Sequence, residues 1–109
     1  MPAPSRFDLR SAASLDAFGE SGPFEAVLHL AAQSNVPASF EDPVATFDIN
    51  ATGTVRLLHA LDRIGFRGTF LYVSSGDVYG PVEPSDLPVT ERTPPRPANP
   101  YAASKIAGE

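Results

Sequence analysis

The sequence predicts an α/β fold, in the form of a partial Rossmann-like, doubly wound parallel sheet. Two apolar runs, 26–32 and 69–73, have the composition of strands buried on both faces of a parallel sheet. Between them lies a helical stretch of roughly 20 residues, whose apolar side chains recur at spacings of three and four. A strand, a helix and a strand in this order form a βαβ unit, in which the two strands are parallel.

Composition limits the classes of function. The 109 residues suffice for one domain, and the net charge of -5 without any Lys/Arg cluster argues against binding to nucleic acid or to anionic membranes. Met1–Leu15 lacks the layout of a signal peptide, and no apolar run reaches the roughly 20 residues of a membrane-spanning helix. Cysteine is absent, which excludes disulfides and thiolate metal sites and fits a reducing cytosol. We therefore predict a cytoplasmic protein without a metal site.

The elements before the long helix are short. Residues 5–10 are predicted to form a loop or the end of a strand. Ser11 can cap a helix that runs to Phe18, with Gly19 as its stop. Beyond the first strand, the polar stretch 33–43 contains two prolines and is predicted to be a loop.

The long helix is the clearest element. Asp42 can cap it, Pro43 fits its first turn, and Gly65 fits its end. Asn50 and Gly53 interrupt the helix-forming run, and a glycine there costs about 1 kcal/mol relative to alanine, which a close contact would justify. The residues predicted to face the core are Val44, Phe47, Ala51, Val55, Leu58 and Leu61.

The segment after the second strand is rich in proline. Seven of the twelve prolines lie between Pro81 and Pro100. Two interpretations remain open, a disordered linker or an ordered surface loop, since apolar residues are interspersed. From Tyr101 to Glu109 a helix is predicted.

Tyr101 and Lys105 stand four residues apart, which places them on one face of the last helix. An ammonium beside a phenol favours the phenolate, and such a pair can exchange a proton with a carbonyl or an alcohol. Lys105 is the only lysine of the chain, which makes chance placement of the pair less common. The alternative is an ordinary amphipathic pair on a surface helix.

The ends of both strands carry residues suited to a ligand, because ligands bind at the carboxyl ends of strands in open parallel sheets. After the second strand, 74–77 read Ser-Ser-Gly-Asp, which could offer a hydroxyl to a carbonyl or form a simple turn. Ala31 and Ala32 end the first strand and could admit a flat cofactor or serve tight helix packing. His29 is predicted to be a packed strand residue and His59 to face solvent, neither with a metal-ligand partner.

Four segments in this order resemble the extended short-chain dehydrogenase/reductase family, the NAD-dependent epimerases, dehydratases and reductases of nucleotide sugars. They are HLAAQSNVPASFEDP (29–43), NATGTVRLLHAL (50–61), TFLYVSSGDVYG (69–80) and NPYAASKIAGE (99–109). Within the family, SSGDVYG and AQSxVPxxF are most similar to reductases of GDP-4-keto-6-deoxy-D-mannose. The resemblance implies that 1–109 is a partial NAD(P)-binding domain and that the substrate is a nucleotide sugar.

The resemblance also implies roles for particular residues. Tyr101 would be the acid/base, Lys105 would activate it and hold the nicotinamide ribose of NAD or NADP, and Ser75 would bind the sugar carbonyl. Further cofactor-binding residues would be Asp8 and Leu9 at the adenine, Leu30, Ala31 and Ala32 at the strand end, and Asn50 in the helix. The sugar would be bordered by Gln33, Ser34, Gly76 and Asp77.

Departures from the family pattern bear on the reaction. Related dehydratases carry an acidic pair or a Glu just after the active-site Ser/Thr, whereas Gly76 and Asp77 stand here, which favours ketone reduction. Asn35 replaces a His of many relatives and leaves the sugar open. A 4-epimerase or 4,6-dehydratase is the alternative within the family, and a nucleotide-sensing regulator without catalysis is the alternative of another class.

The family's glycine-rich turn, its first βαβ unit and its C-terminal substrate domain have no counterpart in this sequence. We therefore expect the 109 residues alone neither to bind a dinucleotide usefully nor to catalyse. In the family, the helix over 44–64 and the helix beginning near Tyr101 commonly form a dimer bundle, which implies a homodimer for the full-length enzyme.

Overall fold

A computed structural model describes residues 5–109. Residues 1–4, the start of the stretch Met1–Leu15 that lacks a signal-peptide layout, lie outside the described residues. The sheet consists of β1 (Ala26–His29) and β2 (Thr69–Tyr72), which pair in parallel with His29 opposite Tyr72. The predicted parallel βαβ arrangement is confirmed. Both strands are shorter than predicted, so 30–32 and Val73 lie outside them, although the Val73 N–H still donates to the His29 carbonyl at 3.2 Å.

The first helix begins after its predicted cap, and the last helix begins one residue before its predicted start at Tyr101. Helix α1 (Ala12–Glu20) starts after Ser11, whose side chain accepts a hydrogen bond from the Ser14 backbone N–H, and it continues one residue past Gly19. Residues 5–10 form a loop and turn. Helix α5 (Pro100–Gly108) starts after Asn99, whose side chain accepts from the Ala102 N–H at 2.7 Å. Each cap satisfies one N–H of the first helical turn.

The prediction of a loop over 33–43 is wrong in part, because this stretch contains helix α2 (Val36–Glu41). Asn35 caps it, with its Oδ1 accepting from the Ala38 N–H at 2.9 Å. The two prolines that suggested a loop lie in the first turns of helices, where a missing N–H costs nothing.

The long helix begins at Pro43 after the Asp42 cap, as predicted, but it is not a uniform α-helix. It consists of α3 (Pro43–Phe47), a π-helical turn (Asp48–Thr52) and α4 (Gly53–Arg63), and Gly65 follows with a φ of 71°. A π turn contains about one residue more than an α turn. Along this helix, α3 and the π turn contact α5, whereas α4 contacts α1.

The predicted apolar face of this helix is wrong, apart from Leu61, which is buried, and Ala51, which is half-buried. Val44 and Val55 are 77% and 62% exposed, and Phe47 and Leu58 are also exposed. The buried face carries Thr46, Asn50, Gly53, Thr54, Leu57, Ala60 and Leu61. The polar residues on that face are satisfied by hydrogen bonds inside the protein, which removes the penalty of burying them. Gly53 is explained by a close contact, since a Cβ there would lie 2.8 Å from Leu9 Cβ.

The core lies on one face of the sheet. It consists of Leu15, Val27, Leu57, Ala60 and Leu61. On the opposite face, Leu28 and Leu71 are each 56% exposed. The prediction that both strands are buried on both faces is therefore wrong for this chain, because α1 and α4 pack against the face that holds Val27.

Residues 80–100 form an ordered surface loop rather than a disordered linker. The end of this loop is held close to the turn before it, because the Arg96 N–H donates to the Val78 carbonyl at 2.9 Å. Gly80 has a φ of 63°, and a side chain there would collide with the Arg96 carbonyl, so glycine is required. Across residues 5–109, no helix is both long enough and apolar enough to cross a membrane.

Candidate active site

Lys105 and Tyr101 lie on α5 beside the carboxyl end of β2. Lys105 Nζ donates to the carbonyl of Val73, the residue just after β2, at 2.7 Å. Lys105 is 4% exposed, and Tyr101, one turn earlier, is also buried. The edge of the sheet at which ligands bind in open α/β folds thus receives the one lysine of the chain.

Ser75 begins the 3-10 turn Gly76–Tyr79, which contacts α5. Its Oγ accepts from the Asp77 N–H at 3.2 Å, so the hydroxyl proton is free for a carbonyl oxygen. Gly76 and Asp77 are exposed, and a Cβ at Gly76 would meet nothing within 4 Å. The structure therefore brings Ser75 to the same region as α5 and leaves the two following residues open to solvent.

The electrostatic setting of Lys105 is defined by burial. Removal of water from the ammonium lowers the pKa of Lys105, while the carboxylate of Glu109, one turn further along α5, raises it. The pKa of Tyr72 is raised by burial, by Glu109 and by Tyr101. The Glu109 carboxylate therefore raises the pKa of both Lys105 and Tyr72.

Asn50 joins three parts of the site through its side chain. It lies in the π turn, 1% exposed, and its Oδ1 accepts from the Gln33 N–H at 2.8 Å. Its Nδ2 donates to the Gln33 carbonyl and to Ser104 Oγ, both at 2.9 Å. Ser104 Oγ in turn donates to the Tyr101 carbonyl at 2.6 Å. The loop after β1 is thereby fixed to the helical turn that carries Tyr101.

Sequence reasoning singled out Asn50 and Gln33 but missed Ser104. Its position on the helix between Tyr101 and Lys105 was the available signal. Gln33 is held in place by its own side chain too, because its Nε2 donates to Thr46 Oγ1 at 2.9 Å and to the Asn35 carbonyl at 3.1 Å. This amide is engaged within the protein rather than turned to a ligand.

His29 is a packed strand residue, as predicted, and His59 is exposed. His29 is 4% exposed, with its Nε2 3.0 Å from Thr54 Oγ1. Thr54 Oγ1 donates its single proton to the Asn50 carbonyl at 2.7 Å. Nε2 must then be the donor to Thr54, which assigns the tautomer of His29 from the network.

Unfolding should become easier in mild acid because of His29. Burial, and then the charge of Lys105, hold the pKa of His29 below its ordinary value. An unfolded histidine titrates near pH 6.5, so below about that pH the unfolded state binds more protons and stability falls as the pH drops. We expect His29→Gln to weaken this dependence and His59→Gln to keep it, in denaturant unfolding measured from about pH 8 to about pH 5. Equal pH dependence in His29→Gln and the wild type would contradict the assignment.

The residues expected at a cofactor separate into two groups. Leu9, Leu30 and Ala31 line one apolar cavity of about 270 Å³ beside β1. Asp8 does not line it. Its carboxylate accepts hydrogen bonds from the Arg10 guanidinium at 3.0 and 3.1 Å, which lower the pKa of Asp8. Ala32 lies in the loop that leaves β1, as does Ser34, which is predicted to border the sugar. Within residues 5–109, no group of three His, Cys, Asp or Glu side chains could hold a metal ion.

Comparisons with known proteins identify the family of this chain and several relatives. Residues 3–109 match the model of the NAD dependent epimerase/dehydratase family. The GDP-6-deoxy-D-mannose reductase of Pseudomonas aeruginosa is 51% identical over 109 residues, which are 100% of this chain and 36% of that protein. The structure of RMD from P. aeruginosa complexed with NADPH superimposes with a TM-score of 0.90 at 51% identity, over 99% of this chain and 37% of that one. The UDP-glucose 4-epimerase of Thermus thermophilus, in complex with NAD, superimposes with a TM-score of 0.84 at 37% identity, over 94% and 33%. The chain thus spans about a third of the length of these relatives.

Proposed function

The chain belongs to the NAD dependent epimerase/dehydratase family, and on this basis we propose that it supplies the Ser, Tyr and Lys of an NAD(P)-dependent reductase that acts on a GDP-4-keto-6-deoxy sugar. The observation that carries the proposal is the placement of Lys105 and Tyr101, both buried, at the carboxyl end of β2, beside the turn that begins at Ser75. The 51% identity to a GDP-6-deoxy-D-mannose reductase supports the choice of substrate.

The residues present fit a nicotinamide cofactor. Leu9, Leu30 and Ala31 give the cavity beside β1 apolar walls, which suit a flat ring. Lys105 Nζ donates one of its three protons to the Val73 carbonyl, and the other two are available to donate to ribose hydroxyls. When bound, the cofactor would supply the hydride. Relatives with NADPH and with NAD are both known, so either form is compatible with the proposal.

Each of the three polar residues has a distinct task in the reduction. Ser75 would donate a hydrogen bond to the carbonyl oxygen of the sugar, which stabilises the negative charge that develops there. Tyr101 would give its phenolic proton to that same oxygen as it becomes a hydroxyl. The positive charge of Lys105 would stabilise the phenolate that remains.

The residues after Ser75 support reduction over dehydration. Loss of water from the sugar needs an acid beside the active-site hydroxyl. Gly76 has no side chain and Asp77 is exposed on the 3-10 turn. Simple ketone reduction needs no second acid, because Tyr101 supplies the one proton that the product requires.

The test is a substrate assay with the full-length enzyme that contains this chain. We expect GDP-4-keto-6-deoxy-D-mannose to drive oxidation of NADPH or NADH, followed by the cofactor's absorbance, with one reduced sugar formed per cofactor consumed. Release of water from a GDP-hexose would instead support a dehydratase. Interconversion of UDP-hexoses without net cofactor oxidation would support a 4-epimerase, the activity of the T. thermophilus relative.

The proposal includes a homodimer and a cytoplasmic location. An apolar stripe of Val44, Phe47, Val55 and Leu58 lies exposed on the outer side of the long helix. Exposed apolar side chains grouped on one helix are typical of contacts between proteins, and a symmetric dimer would bury the stripe of both copies. Sedimentation velocity of the full-length protein distinguishes dimer from monomer.

The absence of cysteine supports the cytoplasmic location, which fractionation of cells would test.

A further inference from the structure

Tyr72, the last residue of β2, contacts Lys105 at two points. The ammonium nitrogen lies 4.5 Å from the centroid of the Tyr72 ring. The Tyr72 hydroxyl donates to the backbone carbonyl of Lys105 at 3.2 Å. One side chain therefore touches both the charged end and the main chain of the same lysine.

The space around Tyr72 fits this side chain closely. A Cβ at Gly108 would collide with the Tyr72 hydroxyl, so α5 approaches the ring as near as a glycine allows. The ring of His29, opposite Tyr72 on β1, also lies near, with its centroid 5.7 Å away. The phenol therefore packs against both β1 and the last turn of α5.

From these contacts we propose that Tyr72 is a positioning residue for Lys105: its ring stabilises the buried ammonium, and its hydroxyl fixes the turn of α5 that carries it. The contacts stand by themselves, and the consequence for catalysis rests on the function proposed above.

The physical need for such a partner follows from burial. The ammonium has lost most of its water and gains one hydrogen bond, to Val73, so its charged form is penalised. The electron-rich face of an aromatic ring attracts a cation, and the attraction is stronger where water is excluded. The other titratable groups that interact with Lys105 are Glu109 on its own helix and the neutral His29 on β1. Tyr101 lies one turn earlier on α5. Of these, Glu109 is the anion, and it is exposed to solvent, which screens it.

Nuclear magnetic resonance can test the proposal on the lysine itself. With ¹³Cε-lysine incorporated, the signal of Lys105, which is the one lysine of this chain, is identified by its loss in Lys105→Arg. In the wild type we expect its ε-protons to be shifted upfield by the ring. We expect Tyr72→Leu to abolish that shift and to lower the pKa of Lys105, whereas Tyr72→Phe keeps the ring and with it most of the shift.

Phe70→Leu is the matched control. Phe70 lies two residues earlier on β2, half-buried, on the same face of the strand as Tyr72 and with its ring centroid 5.9 Å from that of His29. Its removal deletes an aromatic ring from the same packing layer without touching Lys105. An unchanged Lys105 signal in Tyr72→Leu would overturn the proposal, and so would an equal change in Phe70→Leu.

A catalytic measurement then separates this inference from the proposed function. In the full-length enzyme, Tyr72→Leu should lower kcat on the order of tenfold and shift the pH profile of kcat, and Tyr72→Phe should recover most of the rate. If the Lys105 signal responds as expected but no ketone is reduced, the positioning role stands and the proposed function fails. If the ketone is reduced but the Lys105 signal is the same in Tyr72→Leu and in the wild type, the positioning role fails.

Discussion

Replacement of Tyr101 by phenylalanine should lower kcat of the full-length enzyme by about 10²- to 10⁴-fold, the usual contribution of a general acid. The ring and its packing are kept, and only the proton that the carbonyl oxygen must receive is removed. Because that proton is needed mainly in the transition state, the dissociation constant of the reduced cofactor should change by no more than about twofold. Steady-state reduction of the keto sugar and calorimetric titration with NADPH measure the two quantities.

Tyr79→Phe is the control for this prediction. Tyr79 ends the 3-10 turn that Ser75 begins and lines a cleft formed by the proline-rich loop with Arg92 and Arg96. It is expected to keep most of the turnover. If Tyr101→Phe retained more than about a tenth of the wild-type kcat, another group would have to supply the proton and the assignment of Tyr101 would be abandoned.

Replacement of Asn50 by alanine should cost about 3 kcal/mol or more of the free energy of unfolding. The change removes the hydrogen-bond partner of the Gln33 N–H, of the Gln33 carbonyl and of one lone pair of Ser104 Oγ. All three groups surround the Asn50 side chain, which is 1% exposed. An unsatisfied buried polar group costs roughly 1–3 kcal/mol, and here three partners are lost together. Urea unfolding measures the loss as a lower midpoint concentration, with the slope m of the free energy against urea concentration unchanged.

Asn35→Ala provides the comparison for Asn50. Its exposed side chain caps α2 with a single bond to Ala38, so its removal should cost only about 1 kcal/mol. Losses of equal size in the two variants would show that the Asn50 network adds no more to stability than a surface cap.

The features that the sequence predicts well depend on local rules. Ser11 and Asp42 cap helices because their side chains reach N–H groups three residues ahead. The parallel pairing of β1 and β2 follows from the length of the segment between them. The adjacency of Tyr101 and Lys105 follows from helical spacing. None of these inferences needs knowledge of a distant residue.

The features that the sequence does not predict depend on partners far along the chain. Thr46, Asn50 and Thr54 are polar and buried, because Gln33 and His29 supply hydrogen bonds that a pattern of apolar spacing cannot represent. Ser104 and Tyr72 acquire their importance only when α5 packs against the π turn and β2. For the same reason the apolar spacing of Val44, Val55 and Leu58 marks an exposed face of the long helix rather than the core.

The π turn at Asp48–Thr52 determines how the long helix accommodates a change in its number of residues. A π turn contains about one residue more than an α turn, so it absorbs one residue while the helical faces on either side keep their directions. With one residue fewer, the turn would close to α geometry, and the side of the helix that meets α5 and the side that meets α1 would keep their neighbours. A one-residue gap aligned here between two relatives therefore records a π turn in one and an α turn in the other, whereas a gap in the 80–100 loop is a change of loop length.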